Sequence, residues 1–314
     1  MSPQPISSLA LVIPAYNEAE GLPELFAALE KVRSALSHMS LRVVIVDDHS
    51  DDATPALLSG AANERDWLDF IRLSRRSGSH VAIIAGLSRC SEDFAAFVAA
   101  DLQDPPELLG EMLDKARQGN DVVWAVRANT DGQGWLEMLT SRLFHRLMRV
   151  ISDVGQLPFQ ASFALLTKRA YTGLVRNAGA RASLIVEIPA LGFGVATVPF
   201  IRRDRVAGRS KWNVSRKLAA FADATVASSS MPLRAMTYLG LVTSTVGFLY
   251  AAFLVLRYFR GDVDIQGWTS IMVAVLVIGG LQMLMLGVLG QYLWRTNENA
   301  RGRALFIVEK ANER

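Results

Sequence analysis

Oxygen-bearing side chains follow a short apolar run near residue 100. Residues 94–98 are typical of a buried strand, and Asp101 and Gln103 come shortly after them. Two residues that are two positions apart in an extended chain point the same way, so both could share one hydrated divalent cation. The alternative is that residues 101–106 form only a strand-to-helix turn with a capping acid.

Apolar runs and helical patterns alternate over the first part of the chain. The runs are typical of parallel strands that are buried on both faces. The alternation predicts a doubly wound α/β domain whose ligand edge lies at the carboxyl ends of the strands. The predicted strands are 9–14, 41–47, 70–74, 94–99 and 122–126, and the predicted helices are 18–35, 54–64, 81–90 and 107–116.

Polar residues follow each of the first four predicted strands, and we expect these four segments to converge on one site. Carboxylates such as Asp48 can accept hydrogen bonds from ribose hydroxyls or a base N–H, which favours nucleoside-diphosphate chemistry. The alternative for Asp47 and Asp48 is an acid pair before a helix N-terminus. The four segments are 14–18, 47–52, 74–80 and 101–107.

Several other kinds of site are disfavoured. There is no Gly-x-x-x-x-Gly-Lys loop and no Gly-x-Gly-x-x-Gly after the first strand, which counts against a kinase, an NTPase or an NAD enzyme. The single cysteine, Cys90, excludes an internal disulfide and is interpreted as a structural thiol. His49 and His80 belong to no Cys/His cluster and are interpreted as polar loop residues.

The apolar residues are concentrated after residue 231, although the whole 314-residue chain is 51% hydrophobic. Residues 236–256 and 268–294 carry no charge, and each run exceeds the ~20 residues that cross a bilayer. We therefore expect two transmembrane helices. Arg234 and the basic residues after 294 favour a cytoplasmic location for both flanking parts. Residues 1–8 lack the features of a secretory signal.

Four segments together resemble the family 2 glycosyltransferases of GT-A fold, and in particular the polyprenyl-phosphate sugar transferases. They are 13–18 (IPAYNE), 46–52 (VDDHSDD), 100–107 (ADLQDPPE) and 209–212 (RSKW). The resemblance implies inverting transfer of one sugar from a UDP- or GDP-sugar, with a UDP-hexose preferred, to polyprenyl (undecaprenyl) phosphate. It also implies Mg²⁺ or Mn²⁺, a role in cell-envelope glycan modification and no nucleic-acid partner.

The resemblance assigns site residues in three groups. Asp101, Gln103 and Arg209 are expected to be catalytic, and the first two are also the expected metal ligands. Donor-binding residues are expected to be Pro14, Tyr16, Asn17, Glu18, Asp47, Asp48, Arg75 and Asp101. Acceptor-phosphate-binding residues are expected to be Arg202, Arg205, Arg209, Ser210 and Lys211.

The expected organisation is a cytoplasmic GT-A domain followed by membrane elements of a multi-pass inner-membrane protein. A basic amphipathic helix at 135–151 could lie in the headgroup layer, or it could be a surface helix packed on the core. The basic loop could instead only attract anionic lipids. The glycines of the second span permit homo-oligomers, and a small membrane flippase is an expected partner. The boundaries are 1–212 (catalytic domain), 213–232 (juxtamembrane helix), 233–294 (both spans) and 295–314 (cytoplasmic tail).

Two departures from the family pattern leave other functions open. Ala99 replaces the first acid of the usual Asp-x-Asp, and residues 157–163 contain no carboxylate where many members have one. A lipid monophosphate is already largely dianionic at neutral pH, so its attack needs positioning more than deprotonation. The alternatives are a catalytically degenerate scaffold that binds nucleotide sugar and a processive polysaccharide synthase, although the Gln-x-x-Arg-Trp motif of such synthases is missing.

Overall fold

A computed structural model describes residues 8–101, 105–127, 161–179, 183–201, 231–260 and 267–312. The chain forms two compact units. The first unit holds an eight-stranded sheet with its helices and includes the residues that follow position 302. The second unit holds two long helices.

Four parallel strands form the part of the sheet that carries the predicted site. Their order is β4-β1-β2-β3, and all four run in the same direction. Their side chains are almost completely buried, as expected for strands that are covered on both faces. The first four predicted strands are therefore confirmed. Their bounds are β1 (Ser8–Ala15), β2 (Ser40–Asp47), β3 (Leu68–Leu73) and β4 (Phe94–Phe97).

Four helices follow these strands, close to the predicted positions: α1 (Leu22–Ala35), α2 (Thr54–Glu64), α3 (Ser79–Leu87) and α4 (Leu109–Arg117). The prediction that the first helix begins at residue 18 was wrong. The Gly21 N–H donates to the Glu18 carbonyl in a turn, and Pro23 lies in the first helical turn, where its missing N–H costs nothing. Residues 16–19 are thereby left outside the helix.

Close packing of α3 on the sheet depends on one glycine. A Cβ atom at Gly86 would lie 2.4 Å from Val12 Cγ1 and 3.0 Å from Val46 Cγ2. No larger residue fits there without a shift of β1 or β2. The helix that follows the β3 loop is therefore held directly against the two central strands.

The other half of the sheet is mixed. Strands β5 (Val122–Arg127) and β7 (Val195–Phe200) are parallel to each other, whereas β6 (Ala161–Thr167) is antiparallel to both β4 and β5. The fifth predicted strand is confirmed as β5, but the sheet is not uniformly parallel. The apolar run of β6 resembles a buried parallel strand, and its periodicity contains no information on direction. Helices α5 (Lys168–Asn177) and α6 (Leu184–Ala190) complete this half.

A short strand near the C-terminus closes the β3 edge. Strand β8 (Val308–Ala311) pairs antiparallel with β3. The prediction of 295–314 as only a cytoplasmic tail missed this strand, although the apolar run 304–308 leads into it.

The second unit contains α7 (Met231–Phe259) and α8 (Trp268–Ala300), which coincide with the two predicted spans. One described segment, Val277–Ala300, is long and apolar enough to cross a membrane, and Ala235–Tyr250 is a shorter apolar segment. Two membrane crossings therefore stay a prediction. The predicted amphipathic helix at 135–151 lies outside the described residues, as does the juxtamembrane helix up to residue 230.

Candidate functional site

The loops after β1 and β2 are joined by hydrogen bonds at the carboxyl edge of the sheet. The Asp48 N–H donates to the Ala15 carbonyl over 2.9 Å. The Asn17 N–H donates to Ser50 Oγ over 2.9 Å, and Asn17 Oδ1 accepts the Asp51 N–H over 3.0 Å. Two of the four predicted segments therefore form one connected surface.

Asn17 and His49 both have left-handed backbones, with φ of 54° and 63°. This conformation is uncommon for residues other than glycine, although asparagine and histidine adopt it more often than most. His49 Nδ1 lies 3.1 Å from the Leu73 carbonyl, which ties the β2 loop to the end of β3. Strained backbone positions that are held by several contacts occur often at binding sites.

Asp48 connects the β2 loop with the loop after β3. Its side chain is buried, and its two oxygens accept the N–H groups of Ser77 and Gly78 over 2.6 and 2.8 Å. Burial raises the pKa of the Asp48 carboxyl, although these two N–H groups and nearby Arg76 act in the opposite direction. A carboxylate offers about four lone-pair positions. Asp48 can therefore hold the loop and still accept a hydrogen bond from a ligand.

Asp47 lies beneath this surface. Its side chain is completely buried, and Oδ1 accepts the Ser50 N–H over 3.1 Å while Oδ2 accepts Arg72 Nη1–H over 3.0 Å. The arrangement suits support of the β2 loop better than direct contact with a ligand.

A stacked pair lies on the outer surface of the loops. The Arg76 guanidinium carbon is 4.0 Å from the centroid of the Tyr16 ring, and the Tyr16 hydroxyl is 3.5 Å from Asp51 Oδ2. Arg75, the predicted donor-binding residue, is exposed on the same loop, and its carbonyl accepts the Ser77 hydroxyl. Sequence reasoning missed Arg76, because nothing in two successive arginines shows which of them stacks.

The remaining donor residues of β1 lie at the same edge. Pro14 is half-buried in the strand, and the Glu18 N–H donates to Thr54 Oγ1 over 3.0 Å, at the start of α2. The Ala19 N–H donates to Asp52 Oδ2 over 3.3 Å. The segment after β1 is thus held by backbone donors, while side chains such as Glu18 remain partly accessible.

Asp101 follows β4 at the same edge. The Val98 N–H donates to the Val12 carbonyl over 3.0 Å, so the pairing of the two strands continues past β4. Ala100 is buried and Asp101 is half-buried where the chain leaves the sheet. Within the described residues no cluster of three or more His, Cys, Asp or Glu could hold a metal. A single carboxylate nevertheless fits Mg²⁺ or Mn²⁺, since such ions commonly take one or two carboxylates together with substrate phosphates.

Several predicted site residues cannot be placed. Gln103 and the segment 157–160 lie outside the described residues. The same holds for all five predicted acceptor-binding residues, Arg202, Arg205, Arg209, Ser210 and Lys211. Of the predicted site, the structure therefore brings together the donor-side loops and the end of β4.

A cavity of about 600 Å³ lies at the opposite edge, where β2 and β3 begin. Arg33, Arg42, Trp67 and Glu92 are among its lining residues. Open α/β sheets bind ligands at the carboxyl ends of their strands, so this position argues against a donor site. Two of its lining residues, Arg42 and Glu92, are paired with each other over 3.4 Å.

Comparisons with known proteins agree on one family. The family described as "Glycosyl transferase family 2" matches residues 10–173. An undecaprenyl-phosphate 4-deoxy-4-formamido-L-arabinose transferase from Pseudomonas paraeruginosa is 32% identical, over 99% of this chain and 92% of that protein. A prophage bactoprenol glucosyl transferase homolog from Escherichia coli is 27% identical, over 97% of this chain and 99% of that protein.

One solved structure is similar over most of its length. It is the mannosyltransferase PcManGT from Pyrobaculum calidifontis in complex with GDP-Man and Mn²⁺, with a TM-score of 0.51 and 18% identity. The match covers 93% of this chain and 89% of that one. At this level of identity the similarity concerns the fold alone.

Proposed function

Since the chain belongs to glycosyl transferase family 2, we propose that it transfers one sugar from a nucleoside-diphosphate sugar to a polyprenyl phosphate. Its sheet is that of the GT-A fold. The acceptor is proposed because two relatives, aligned over nearly their whole lengths, are named as transferases acting on undecaprenyl phosphate or bactoprenol.

The donor site is proposed at the carboxyl edge of the sheet because hydrogen bonds join the loops after β1, β2 and β3 at Asp48 and its neighbours. The nucleoside is proposed to lie on these loops, where the Tyr16 ring and Asp48 can offer stacking and a hydrogen-bond acceptor. Glu18 and Arg75 are the other partly accessible groups beside it. We propose a UDP-hexose as the donor, although GDP-sugars suit the same groups.

The leaving diphosphate is proposed to point toward the end of β4. Asp101, together with Gln103, would hold a divalent cation there. When bound, Mg²⁺ or Mn²⁺ neutralises the negative charge that builds up on the diphosphate. The pairing of β4 with β1 continues up to Val98, so Asp101 follows at the carboxyl edge of the sheet. This position supports the proposed role.

On the acceptor side, the lipid phosphate is proposed to bind the basic loop that contains Arg202, Arg205, Arg209, Ser210 and Lys211. Guanidinium groups match phosphate oxygens in geometry and charge. A phosphate oxygen then forms a bond to the anomeric carbon while the bond from that carbon to the diphosphate oxygen breaks. The electron pair leaves with the nucleoside diphosphate, and attack from the opposite face inverts the configuration.

The two proposed substrates support a membrane location. A nucleotide sugar is soluble and a polyprenyl phosphate carries its phosphate in the headgroup layer, so we propose that the catalytic unit meets both at the cytoplasmic face. We propose that α7 and α8 both cross the membrane, with residues 1–212 and 295–314 on the cytoplasmic side. The candidate span Val277–Ala300 supports one of these crossings.

The proposed function is tested with purified full-length protein in detergent, undecaprenyl phosphate, Mn²⁺ and a panel of radiolabelled UDP- and GDP-sugars. We expect a labelled lipid from one donor, an inverted anomeric linkage by NMR, and no product with excess EDTA. Absence of product with every donor would contradict the proposed transfer. Full transfer in EDTA would contradict only the metal requirement.

A further inference from the structure

The strand that follows the long helix α8 is attached to β3 at both of its ends. On one side the Ser74 N–H donates to the Ile307 carbonyl over 2.9 Å. On the other, Asn312 accepts the Phe70 N–H with Oδ1 over 2.6 Å and donates its own N–H to the Phe70 carbonyl over 3.1 Å. Asn312 Nδ2–H also donates to Asp69 Oδ1 over 3.1 Å. Strand β8 is therefore a specific part of the catalytic unit.

Glu309 of this strand contacts β3 and the loop after β2, which belongs to the candidate donor site. Its Oε2 atom lies 3.0 Å from Arg72 Nε and 3.6 Å from His49 Nδ1. The ladder between β3 and β8 is irregular beside Arg72 and Leu73, and Glu309 lies at this irregularity. The carboxylate thus reaches back over β3 toward the end of β2.

Arg72 connects Glu309 with the β2 loop. Its Nη1–H donates to Asp47 Oδ2 over 3.0 Å, and its Nη2–H donates to the Ser50 carbonyl over 3.3 Å. A guanidinium is planar and rigid, so fixing Nε on one side fixes the direction of both Nη groups on the other. The orientation of Arg72 therefore depends on Glu309 as well as on Asp47.

Asp47 and Ser50 lead directly to the donor surface. Asp47 Oδ1 accepts the Ser50 N–H, and Ser50 Oγ accepts the Asn17 N–H. Four consecutive contacts thus join Glu309 to the left-handed residue Asn17 of the β1 loop.

We propose that Glu309 and Arg72 are positioning residues for donor binding, so that the chain beyond α8 takes part in forming the donor site. The proposal rests on the proposed function, because it assigns a role in binding the nucleotide of that reaction. A purely structural strand would need only the backbone pairs and Asn312. The direct contact of Glu309 with a group that holds Asp47 and Ser50 goes beyond this requirement.

The test compares full-length Glu309→Gln with Lys310→Gln, a charge change on the next residue of the same strand. Lys310 is exposed, and its pairing with Arg72 in the β3–β8 ladder is made by the backbone, which a change of side chain leaves in place. Amide hydrogen exchange is measured without ligand, and Kd is then measured for UDP and GDP with Mn²⁺. We expect faster exchange at 15–19 and 47–52 only in Glu309→Gln, with an unchanged Tm. The Kd of the bound nucleotide should rise roughly threefold, as for loss of one partly exposed ion pair.

The outcomes separate the two proposals. Unchanged exchange at 47–52 in Glu309→Gln would overturn the positioning role, whatever the nucleotide affinity. A lower Tm with faster exchange throughout β3 would also overturn it, because β8 would then be only structural. Faster exchange confined to the two loops, with a raised Kd, supports the positioning role, whereas the same exchange with an unchanged Kd would overturn the role in donor binding. A wild-type protein that binds neither nucleotide would contradict the proposed function instead.

Discussion

The acidic residues at the two edges of the sheet have different partners. At the amino ends of the strands, Asp69 and Glu92 are paired with Arg42, and Asp121 is paired with Arg169. At the carboxyl ends Asp47 is likewise paired with Arg72, whereas Asp48 accepts two backbone N–H groups from a neighbouring loop. A carboxylate that is paired with an arginine supports the fold. A carboxylate that accepts backbone N–H groups holds a loop in place and leaves the outer surface of that loop to a ligand. The partner of an acidic side chain therefore says more about its role than the presence of the acid does.

The sharpest way to break this comparison is to remove Arg72, which supports the carboxyl edge through Asp47. Arg72→Met leaves the completely buried Asp47 without its ionic partner. Breaking a buried pair costs roughly 3–5 kcal/mol, so we expect a Tm lower by several degrees. Arg117→Met, which breaks an exposed pair on α4, is the control and should cost less than about 1 kcal/mol. Equal Tm values for the two variants would mean that Arg72 does not support the edge.

The second prediction concerns chemistry at the carboxyl edge. Asp101→Ala should lower transfer to undecaprenyl phosphate by about 10²- to 10³-fold, as for loss of one group that stabilises charge in a transition state. The matched control is Asp114→Ala, because Asp114 is exposed on α4 and pairs only at the surface. Initial rates at saturating donor are the measurement. Similar rates in both variants would remove Asp101 from the mechanism.

A third prediction uses pH to examine the helix that follows the donor loop. His80 Nδ1 accepts the Leu184 N–H over 3.2 Å, and burial lowers the pKa of His80. A lowered pKa in the folded state means that protonation favours the unfolded chain. Stability should therefore fall as pH drops below the ordinary value near 6.5, by at most about 1.4 kcal/mol per pH unit.

Melting curves between pH 7.5 and 5.5 measure this effect. His80→Gln should flatten the dependence of Tm on pH, whereas the exposed His38→Gln should leave it as in the wild-type protein. If the slope survives in His80→Gln, another group is responsible for it.

The smallest effect is expected at the amino edge. Burial raises the pKa of the Cys90 thiol to about 12, and its Sγ–H donates to the Gly86 carbonyl. The thiol should therefore resist iodoacetamide at pH 7.5 in the native protein. Cys90→Ser should retain wild-type transfer activity and lose about 1 kcal/mol of stability, since the serine hydroxyl can also donate to the Gly86 carbonyl. A marked loss of transfer would show that the two edges are less independent than we infer.

Sequence patterns predicted the parallel part of the fold well because its signals are local. The β1 run is continuously apolar, the β2 run is interrupted only by Arg42, and Thr54-Pro55 marks the start of α2. Strand direction has no such local signal. The apolar residues of β6 indicate burial but not the antiparallel pairing with β4. The apolar run 304–308 leads into strand β8, but it indicates burial and not the pairing with β3.

The site, like the fold, could be predicted from the sequence only in part. Its location could be predicted, because polar residues after buried strands gather at one edge. The distinct roles of Asp47 and Asp48 could not, because the two are adjacent in sequence and differ only in which way each side chain points from the strand end. Nor does any local signal connect Glu309 with Arg72, which are separated by 237 positions.

The most direct measurement is a hydrogen-exchange footprint of the donor on the full-length protein. Exchange is compared with and without UDP-glucose, UDP-N-acetylglucosamine or GDP-mannose, each with Mn²⁺. We predict that one donor protects 15–19, 47–52 and 74–78 and leaves the opposite edge, 40–42 and 89–93, unchanged. Protection of the opposite edge, or of neither edge with any donor, would contradict the assignment of the donor site.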